Sequence, residues 1–107
     1  MPISSDLLRG HTDTIILAQL ARGDNYGYEI NKNIQHLTHG EYGLKEATLY
    51  TAFKRLEQSG LIRSYWGEEG AGARRRYYAI TEEGLSSLAE SRTEWEHIRA
   101  LLDALVF

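Results

Sequence analysis

The middle of this chain holds a helical pattern of apolar residues that ends at a glycine and continues as an extended run. Within residues 46–62 the apolar side chains recur at three- and four-residue spacing, which predicts a helix with one buried side. These side chains are Leu49, Ala52, Phe53 and Leu56. Gly60 stands where a left-handed residue commonly ends a helix, and Leu61 and Ile62 begin an extended run at once. We therefore expect a helix over about residues 45–59 that leads directly into a strand.

The opposite side of this helix carries hydroxyl, amide and cationic side chains. Such a face fits the major groove of DNA, where these groups meet base edges and phosphates. The candidates for DNA contact are Lys45, Thr48, Tyr50, Thr51, Lys54 and Arg55. A solvated surface helix has the same pattern, so this helix alone leaves both interpretations open.

Basic residues cluster around this helix although the chain as a whole is acidic. The 107 residues have a net charge of −3, yet residues 45–76 carry seven Lys or Arg against four Glu. Residues 1–44 and 77–107 are both net acidic. A local basic patch is an adequate electrostatic footprint for DNA. There is no Cys, which excludes disulfides and thiolate metal sites and suits a reducing cytoplasm.

Two helices are expected before this one, and a hairpin and a long helix after it. Residues 5–21 and 26–37 have helical apolar spacing, and Asp24 or Asn25 is expected to cap the second of these helices. The side chains expected to face inward from the second helix are Tyr28, Ile30, Ile34 and Leu37. Residues 61–67 and 75–81 are rich in aromatic and β-branched residues, which predicts two strands around a glycine-rich tip at 68–73. Thr81 then caps a helix that extends towards residue 107.

This order of elements is typical of one architecture. The expected fold is mainly α with a small β-hairpin, a winged helix-turn-helix domain plus a C-terminal dimerisation helix. Residues 1–80 would form the DNA-binding domain, with the helix over 5–21 contributing to a dimer, and residues 81–107 would form the dimerisation helix.

Three consecutive arginines follow the glycine-rich tip. Arg74, Arg75 and Arg76 can each bind a phosphate in a forked geometry and cannot lose their charge. Strand alternation places Arg74 and Arg76 on one face and Arg75 on the other. The alternative is that these charges only protect an edge strand from aggregation.

The last predicted helix carries a row of mostly apolar residues along one side, which we call its seam. Leucines and other apolar residues fall at spacings of three and four from residue 88, and such a seam needs a partner. The seam consists of Leu88, Ser91, Trp95, Ile98, Leu102 and Leu105. The first helix can cover part of this seam, and a second copy of the chain could cover the rest, with Leu88, Ile98, Leu102 and Leu105 at the dimer interface. The alternative is that the whole seam packs inside one chain.

Trp95 is unusual within this seam. Two facing copies near a dimer axis would make a slot for a flat aromatic ligand, and the adjacent carboxylates of Glu94 and Glu96 would favour a cationic one. The alternative is an ordinary core tryptophan.

Enzyme chemistry finds little support. His36, His39 and Glu41 could be imagined as a metal site, but they fall in a turn-rich segment without a further ligand, and no glycine-rich phosphate loop is present. We therefore expect no enzyme activity, cofactor or metal. The first ten residues lack the pattern of a secretory signal, and no apolar run approaches the length of a membrane span.

Four motifs in combination resemble the PadR family of bacterial transcriptional regulators. They are YGYEI at 26–30, ATLY at 47–50, KRLEQSGLI at 54–62 and RYYAITEEG at 76–84. The short final helix is similar to that of the smaller PadR subfamily, and residues 46–55 and 64–67 are most similar to its lactococcal multidrug-binding branch.

This resemblance implies a homodimeric winged-helix repressor with a palindromic operator and a dimer formed through the first and last helices. It also implies that Trp95 stacks on a planar aromatic ligand, with Leu7, Asp13 and Thr14 lining the same cavity. Arg99 stands one turn from Trp95, where multidrug-binding members tend to be acidic, and this disfavours a cationic ligand. A winged-helix protein-interaction module without sequence-specific DNA binding is the alternative function.

Overall fold

The part of the chain that the structure describes is built mainly from four helices and a small sheet. The computed structural model describes residue 8 and residues 10–67 and 74–107. Its elements, in chain order, are α1 (Thr12–Ala21), β1 (Asn25–Tyr26), α2 (Gly27–Leu37), α3 (Glu46–Gln58), β2 (Ile62–Trp66), β3 (Arg76–Ile80) and α4 (Glu82–Val106). The predicted order of helices and hairpin strands is confirmed. Leu7 and the glycine-rich tip expected at 68–73 lie outside the described residues.

The sheet has one strand more than the predicted hairpin. Its order is β1-β3-β2 and both pairings are antiparallel, with Tyr26 opposite Tyr77 and Trp66 opposite Arg76. The strand β1 is only two residues long, so no alternating pattern in the sequence could predict it. It fixes the start of α2 beside the wing strand β3.

The core joins the helices to this sheet. The apolar side of α3 is buried as predicted, and Leu49, Ala52, Phe53 and Leu56 are each at most 2% exposed. The ring of Phe53 stacks on that of Tyr78, with centroids 3.9 Å apart. This stack attaches α3 to the middle of β3, so the exposed side of α3 and the wing have a fixed relative position.

As predicted, Gly60 ends the helix before the hairpin and Thr81 caps the helix after it. Gly60 has a φ of +77°, the left-handed conformation that ends α3. The Thr81 hydroxyl accepts a hydrogen bond from the Gly84 N–H at 3.1 Å, which caps α4, and donates one to the Gly60 carbonyl at 2.7 Å. A Cβ on Gly84 would lie 2.1 Å from the Leu61 carbonyl oxygen, so only glycine permits this close approach. These contacts set the direction in which α4 leaves the domain.

Two expectations for the first two helices are wrong. The helix predicted over residues 5–21 is interrupted, because Gly10 and His11 lie in a turn and α1 begins at Thr12 with His11 as its N-cap. Tyr26, and neither Asp24 nor Asn25, is the N-cap of α2, and no side chain caps this helix. The Asn25 side chain instead accepts a hydrogen bond from the Tyr26 N–H, outside the helix.

Two side chains expected to face inward from α2 are exposed. Tyr28 is 71% exposed because it projects from the opposite side of the helix to Ile30. Leu37 lies on the same side as Ile30 but at the end of the helix, beyond the core, and is 52% exposed. The buried side of α2 is therefore narrow and consists of Gly27, Ile30 and Ile34.

Most of the seam of α4 is uncovered in a single chain. Leu88 is buried in the core of the chain itself, whereas every described residue from Arg92 to Phe107 is exposed. The exposed apolar residues of this part are Trp95, Ile98, Leu101, Leu102, Leu105, Val106 and Phe107. The alternative of a seam packed wholly inside one chain is therefore wrong. No helix in the described part of the chain has the length and apolar character needed to cross a membrane.

Candidate nucleic-acid interface and adjoining cavity

The exposed side of α3 places polar side chains in three rows. At about 100° per residue, Thr51 and Lys54 lie along its middle, whereas Thr48 and Arg55 lie on one flank and Tyr50 on the other. All nine predicted DNA-contact residues are exposed: Lys45, Thr48, Tyr50, Thr51, Lys54, Arg55, Arg74, Arg75 and Arg76. The structure thus leaves this face of α3 open to a partner.

The flank of α3 that carries Tyr50 meets the wing. A Cβ on Gly27 would lie 2.7 Å from the Tyr50 hydroxyl, so the glycine at the start of α2 makes room for this tyrosine. Tyr50 also packs edge-on against Phe53, with ring centroids 5.6 Å apart. A depression of about 390 Å³ lies here, lined by Tyr26, Gly27, Tyr28, Tyr50, Arg74, Arg75 and Arg76. Tyrosine hydroxyls and guanidinium groups in one open depression are suited to bind a phosphate.

The three wing arginines divide between the two faces of the sheet, in agreement with the predicted alternation. The guanidinium carbons of Arg74 and Arg76 lie 5.4 and 5.5 Å from the centroid of the Trp66 ring. That of Arg75 lies 4.8 Å from the centroid of the Tyr26 ring. Each guanidinium therefore rests on an aromatic ring, which limits its movement.

Arg76 is also held by polar groups of the chain itself. Its Nη2 donates to the Ser64 hydroxyl at 2.8 Å and lies 3.9 Å from Glu57 Oε2, and Ser64 donates in turn to Glu57 at 2.6 Å. This network connects β3 and β2 to α3. Arg76 thus helps to fix the wing on α3, in addition to any contact with DNA.

The outer face of the sheet has an aromatic ladder that stiffens the wing. The Tyr65 ring stacks on Tyr77 at 5.8 Å, and Tyr77 meets Tyr26 edge-on at 5.5 Å. The Tyr65 hydroxyl donates to Asp24 Oδ2 at 2.6 Å, and this hydrogen bond raises the pKa of Tyr65 above its usual value. All three strands are therefore joined by side chains as well as by backbone.

Arg55 is paired with Asp13 of α1. Its Nε donates to Asp13 Oδ2 at 3.2 Å and its Nη2 to Asp13 Oδ1 at 2.5 Å, a forked contact. The hydrogen bond to Asp13 raises the pKa of Arg55 above its usual value. The sequence assigned Arg55 to DNA and, through the family resemblance, Asp13 to a ligand cavity. The structure brings the two side chains together.

A cavity of about 430 Å³ lies between the start of α1 and the middle of α4. Leu8, Ile15, Trp95 and Ile98 give it an apolar wall, and His11, Thr14, Ser91, Arg92 and Glu94 add polar groups. Trp95 is 45% exposed, and the His11 ring meets it edge-on with centroids 5.6 Å apart. The cavity is open to one side, as expected for a space that a second chain or a ligand could complete.

Only part of the predicted ligand set lines this cavity. Trp95 and Thr14 are in its wall, whereas Asp13 is engaged by Arg55 and Leu7 lies outside the described residues. His11 and Ile98 belong to the wall, and the sequence analysis did not assign either of them to a ligand. His11 reaches the cavity through its contact with Trp95, and helical spacing gives no signal for a contact between such distant residues. Among the described residues, no group of three or more His, Cys, Asp and Glu side chains could hold a metal ion.

Comparison with known proteins finds transcriptional regulators, by sequence and by structure. The model of the "Transcriptional regulator PadR-like family" matches residues 16–90. A solved transcriptional regulator from Clostridium thermocellum is 50% identical, with a TM-score of 0.89 over 98% of this chain and 99% of that one. A PadR family transcription regulator from Clostridium difficile is 38% identical, with a TM-score of 0.79 over 91% of this chain and 99% of that one. The Escherichia coli transcriptional regulator YqjI is 34% identical over 89% of this chain but only 44% of its own length.

Proposed function

Because the chain belongs to the PadR-like family of transcriptional regulators, we propose that it is a homodimeric repressor that binds a palindromic operator and releases it when a small planar aromatic molecule binds. Members of this family are regulators rather than enzymes. The observation that carries the proposal is one continuous exposed surface, in which the polar side of α3 adjoins three arginines of the wing. Such a regulator would act in the cytoplasm, where its operator lies.

The duplex would lie across α3 and the wing. Thr48 and Thr51 carry hydroxyls that can meet base edges in the major groove, and Lys54 carries a cation for a phosphate beside it. Lys45 stands at the start of α3, where its ammonium can reach the backbone. The depression between Tyr50 and the wing arginines would hold a further phosphate of the same strand. Phosphate contacts would set the register, and the α3 hydroxyls would contribute sequence preference.

A second copy of the chain would cover the exposed apolar part of α4. Ile98, Leu102 and Leu105 follow one another at spacings of four and three and are 37%, 50% and 82% exposed. A contiguous apolar surface of this kind on a small chain is typical of an interface. Leu88 is not part of the proposed surface, because it is buried in the core of its own chain. A two-fold dimer would present two α3 helices to the two halves of a palindrome.

The ligand would bind in the cavity between α1 and α4. The cavity volume of about 430 Å³ suits a compact molecule of a few fused rings. Trp95 offers a face for stacking, while Arg92 and Glu94 in the wall have opposite charges, which favours an uncharged ligand. A ligand that binds more tightly at one spacing of α1 and α4 would favour one distance between the two α3 helices of the dimer. If that distance does not match the operator, DNA binding weakens by as much as the ligand prefers the mismatched state.

The first test is the salt dependence of DNA binding. The protein is titrated into a labelled duplex taken from immediately upstream of its own gene, and binding is followed by fluorescence anisotropy at several salt concentrations. We expect log Kd to rise steeply with log salt, by about 0.9 for each phosphate contacted. A scrambled duplex of the same composition should bind at least about tenfold more weakly. A protein-interaction module would show neither the steep slope nor the preference.

The second test replaces the proposed stacking residue. Binding of the neutral planar probe 1-aminoanthracene is measured by calorimetry and by quenching of tryptophan fluorescence, and the background is Trp66→Phe, so that the quenching reports on Trp95 alone. We expect Trp95→Ala to weaken probe binding by about tenfold or more, since both ring stacking and apolar contact are lost. Trp66→Phe alone should bind as the unaltered protein does. Equal affinity of the Trp95→Ala variant would leave Trp95 with a structural role only.

A further inference from the structure

We propose that Asp13 is a positioning residue that holds the guanidinium of Arg55 in place for a phosphate of the duplex and makes this contact depend on the first turn of α1. The proposal rests on the DNA-binding function proposed above. It assigns Asp13 a role on the DNA side of α1 rather than in the ligand cavity.

The forked contact leaves one edge of the guanidinium available. Asp13 receives hydrogen bonds from Nε and Nη2 of Arg55, so Nη1 and the second hydrogen of Nη2 remain for another acceptor. Arg55 and Asp13 side chains are 52% and 42% exposed, so a partner can reach them. Arg55 also borders a shallow pocket of about 410 Å³ with Thr12, Ala47, Thr48 and Thr51. The available edge therefore belongs to the same polar surface as the hydroxyls of α3.

Stability does not account for this pair. An exposed ion pair contributes about 0–1 kcal/mol at most sites, because water screens the charges and two side chains lose their freedom. A carboxylate beside a DNA-binding surface also repels phosphates. Asp13 therefore weakens DNA binding through its charge and, on our proposal, strengthens it more by holding Arg55 in one orientation. The two effects have opposite signs, which makes the proposal testable.

The first turn of α1 separates the cavity from α3. His11 and Thr14 line the cavity, while Thr12 borders the α3 pocket and Asp13 holds Arg55. Four consecutive residues thus form a wall with the ligand cavity on one side and the DNA-binding helix on the other. A ligand that shifts this turn would move the Asp13 carboxylate, and the Arg55 guanidinium with it. This gives a direct physical route from the cavity to a DNA contact.

The experiment compares two carboxylates on the same surface. Asp13→Asn removes the charge and the forked contact together, whereas Glu46→Gln removes an exposed charge at the start of α3 that makes no ion pair within the described residues. Both are measured with Arg55→Ala, Arg55→Lys and the double variant Asp13→Asn/Arg55→Ala. The readouts are Kd for the upstream duplex and the slope of log Kd against log salt. Circular dichroism and thermal unfolding establish that each variant is folded.

We expect Glu46→Gln to bind the duplex as tightly as the unaltered protein or up to about threefold tighter, because repulsion is removed. Asp13→Asn should bind the duplex about three- to tenfold more weakly. Its slope of log Kd against log salt should be lower by about 0.9, as for Arg55→Ala. Arg55→Lys keeps its charge but not the fork, so we expect it to weaken binding with little change of slope. In the double variant, the loss of Asp13 should cause no further weakening.

Two results would overturn the positioning role of Asp13. One is an Asp13→Asn variant that binds DNA more tightly, as Glu46→Gln does. The other is that Asp13→Asn weakens binding by the same factor in Arg55→Ala as it does in the unaltered protein. In both cases Arg55→Ala still weakens binding, and the DNA-binding function stands. A protein that binds no duplex at all would instead remove the proposed function, and this proposal with it.

The link to the cavity has its own readout. The Kd for the duplex is measured with and without saturating 1-aminoanthracene, with a titration of the probe into duplex alone as a control. In the unaltered protein the probe should weaken duplex binding, so that the ratio of the Kd with probe to the Kd without probe exceeds one. In Asp13→Asn this ratio should fall towards one, while affinity for the probe stays within about twofold. An unchanged ratio in Asp13→Asn, or a ratio of one in the unaltered protein, would overturn the link.

Discussion

Replacing Arg74, Arg75 and Arg76 together by alanine is expected to weaken binding to the upstream duplex by about a hundredfold or more at physiological salt. The three guanidiniums lie beside the exposed side of α3 and share one open depression with Tyr50. Each phosphate contact that is lost should also lower the slope of log Kd against log salt by about 0.9. The slope should therefore fall by about two to three, as measured by fluorescence anisotropy over a range of salt concentrations.

Two further variants separate charge from structure in this experiment. Arg22→Ala/Arg99→Ala removes two exposed cations outside the proposed DNA-binding surface, and should leave the slope of log Kd against log salt unchanged. Arg74→Ala/Arg75→Ala keeps the contacts of Arg76 with Ser64 and Glu57, so the wing remains attached to α3. This double variant should account for most of the loss. A triple variant that is folded and binds the duplex with unchanged affinity and slope would show that the wing does not contact DNA.

The parts of this interface that the sequence could predict depend on local signals. The helix α3 was placed within one residue at each end, because its apolar spacing and Gly60 are both read from neighbouring residues. Thr81 was identified as a cap for the same reason. The exposed positions of α3 follow from the helical period once the buried side is known. The basic patch required only a count of charges along the chain.

The parts that the sequence could not predict depend on contacts between distant residues. Asp13 and Arg55 are 42 positions apart, and no spacing rule connects an acid on one helix with a base on another. The strand β1 exists because Tyr26 pairs with Tyr77, not because its own residues favour it. Leu37 has the spacing of a core residue but lies beyond the end of the core. In each case tertiary position, rather than local pattern, decides the outcome.

The same reasoning explains why the seam of α4 divides into two parts. Leu88 and Leu102 have equivalent places in the heptad pattern, yet one is 1% and the other 50% exposed. The reason is length, because α1 has 10 residues and α4 has 25. A short helix can cover only the first part of a long one. The remainder keeps the apolar pattern but is exposed and has no covering helix among the described residues, and this mismatch is the physical basis for proposing a dimer.

Leu102→Asp/Leu105→Asp is expected to convert the proposed dimer into single chains. Burying two carboxylates per chain in an apolar interface would cost far more than the interface gains there. Sedimentation at micromolar concentration should show a dimer for the unaltered protein and a monomer for this variant. The matched control is Leu85→Asp, which places the same charge at a leucine that is 48% exposed on α4 but outside the seam. This control should remain dimeric.

The consequence of that variant for DNA binding follows from the geometry of two half-sites. Once one α3 helix is bound, its partner in a dimer binds at a high effective concentration, and a monomer loses this advantage. Affinity for the palindromic duplex should therefore fall by about a hundredfold or more. Affinity for a duplex with a single half-site should change little, which excludes a general effect of the added negative charge. A monomeric variant that binds the palindrome as well as the unaltered protein would show that each chain recognises DNA alone, and the apolar surface of α4 would then need another occupant.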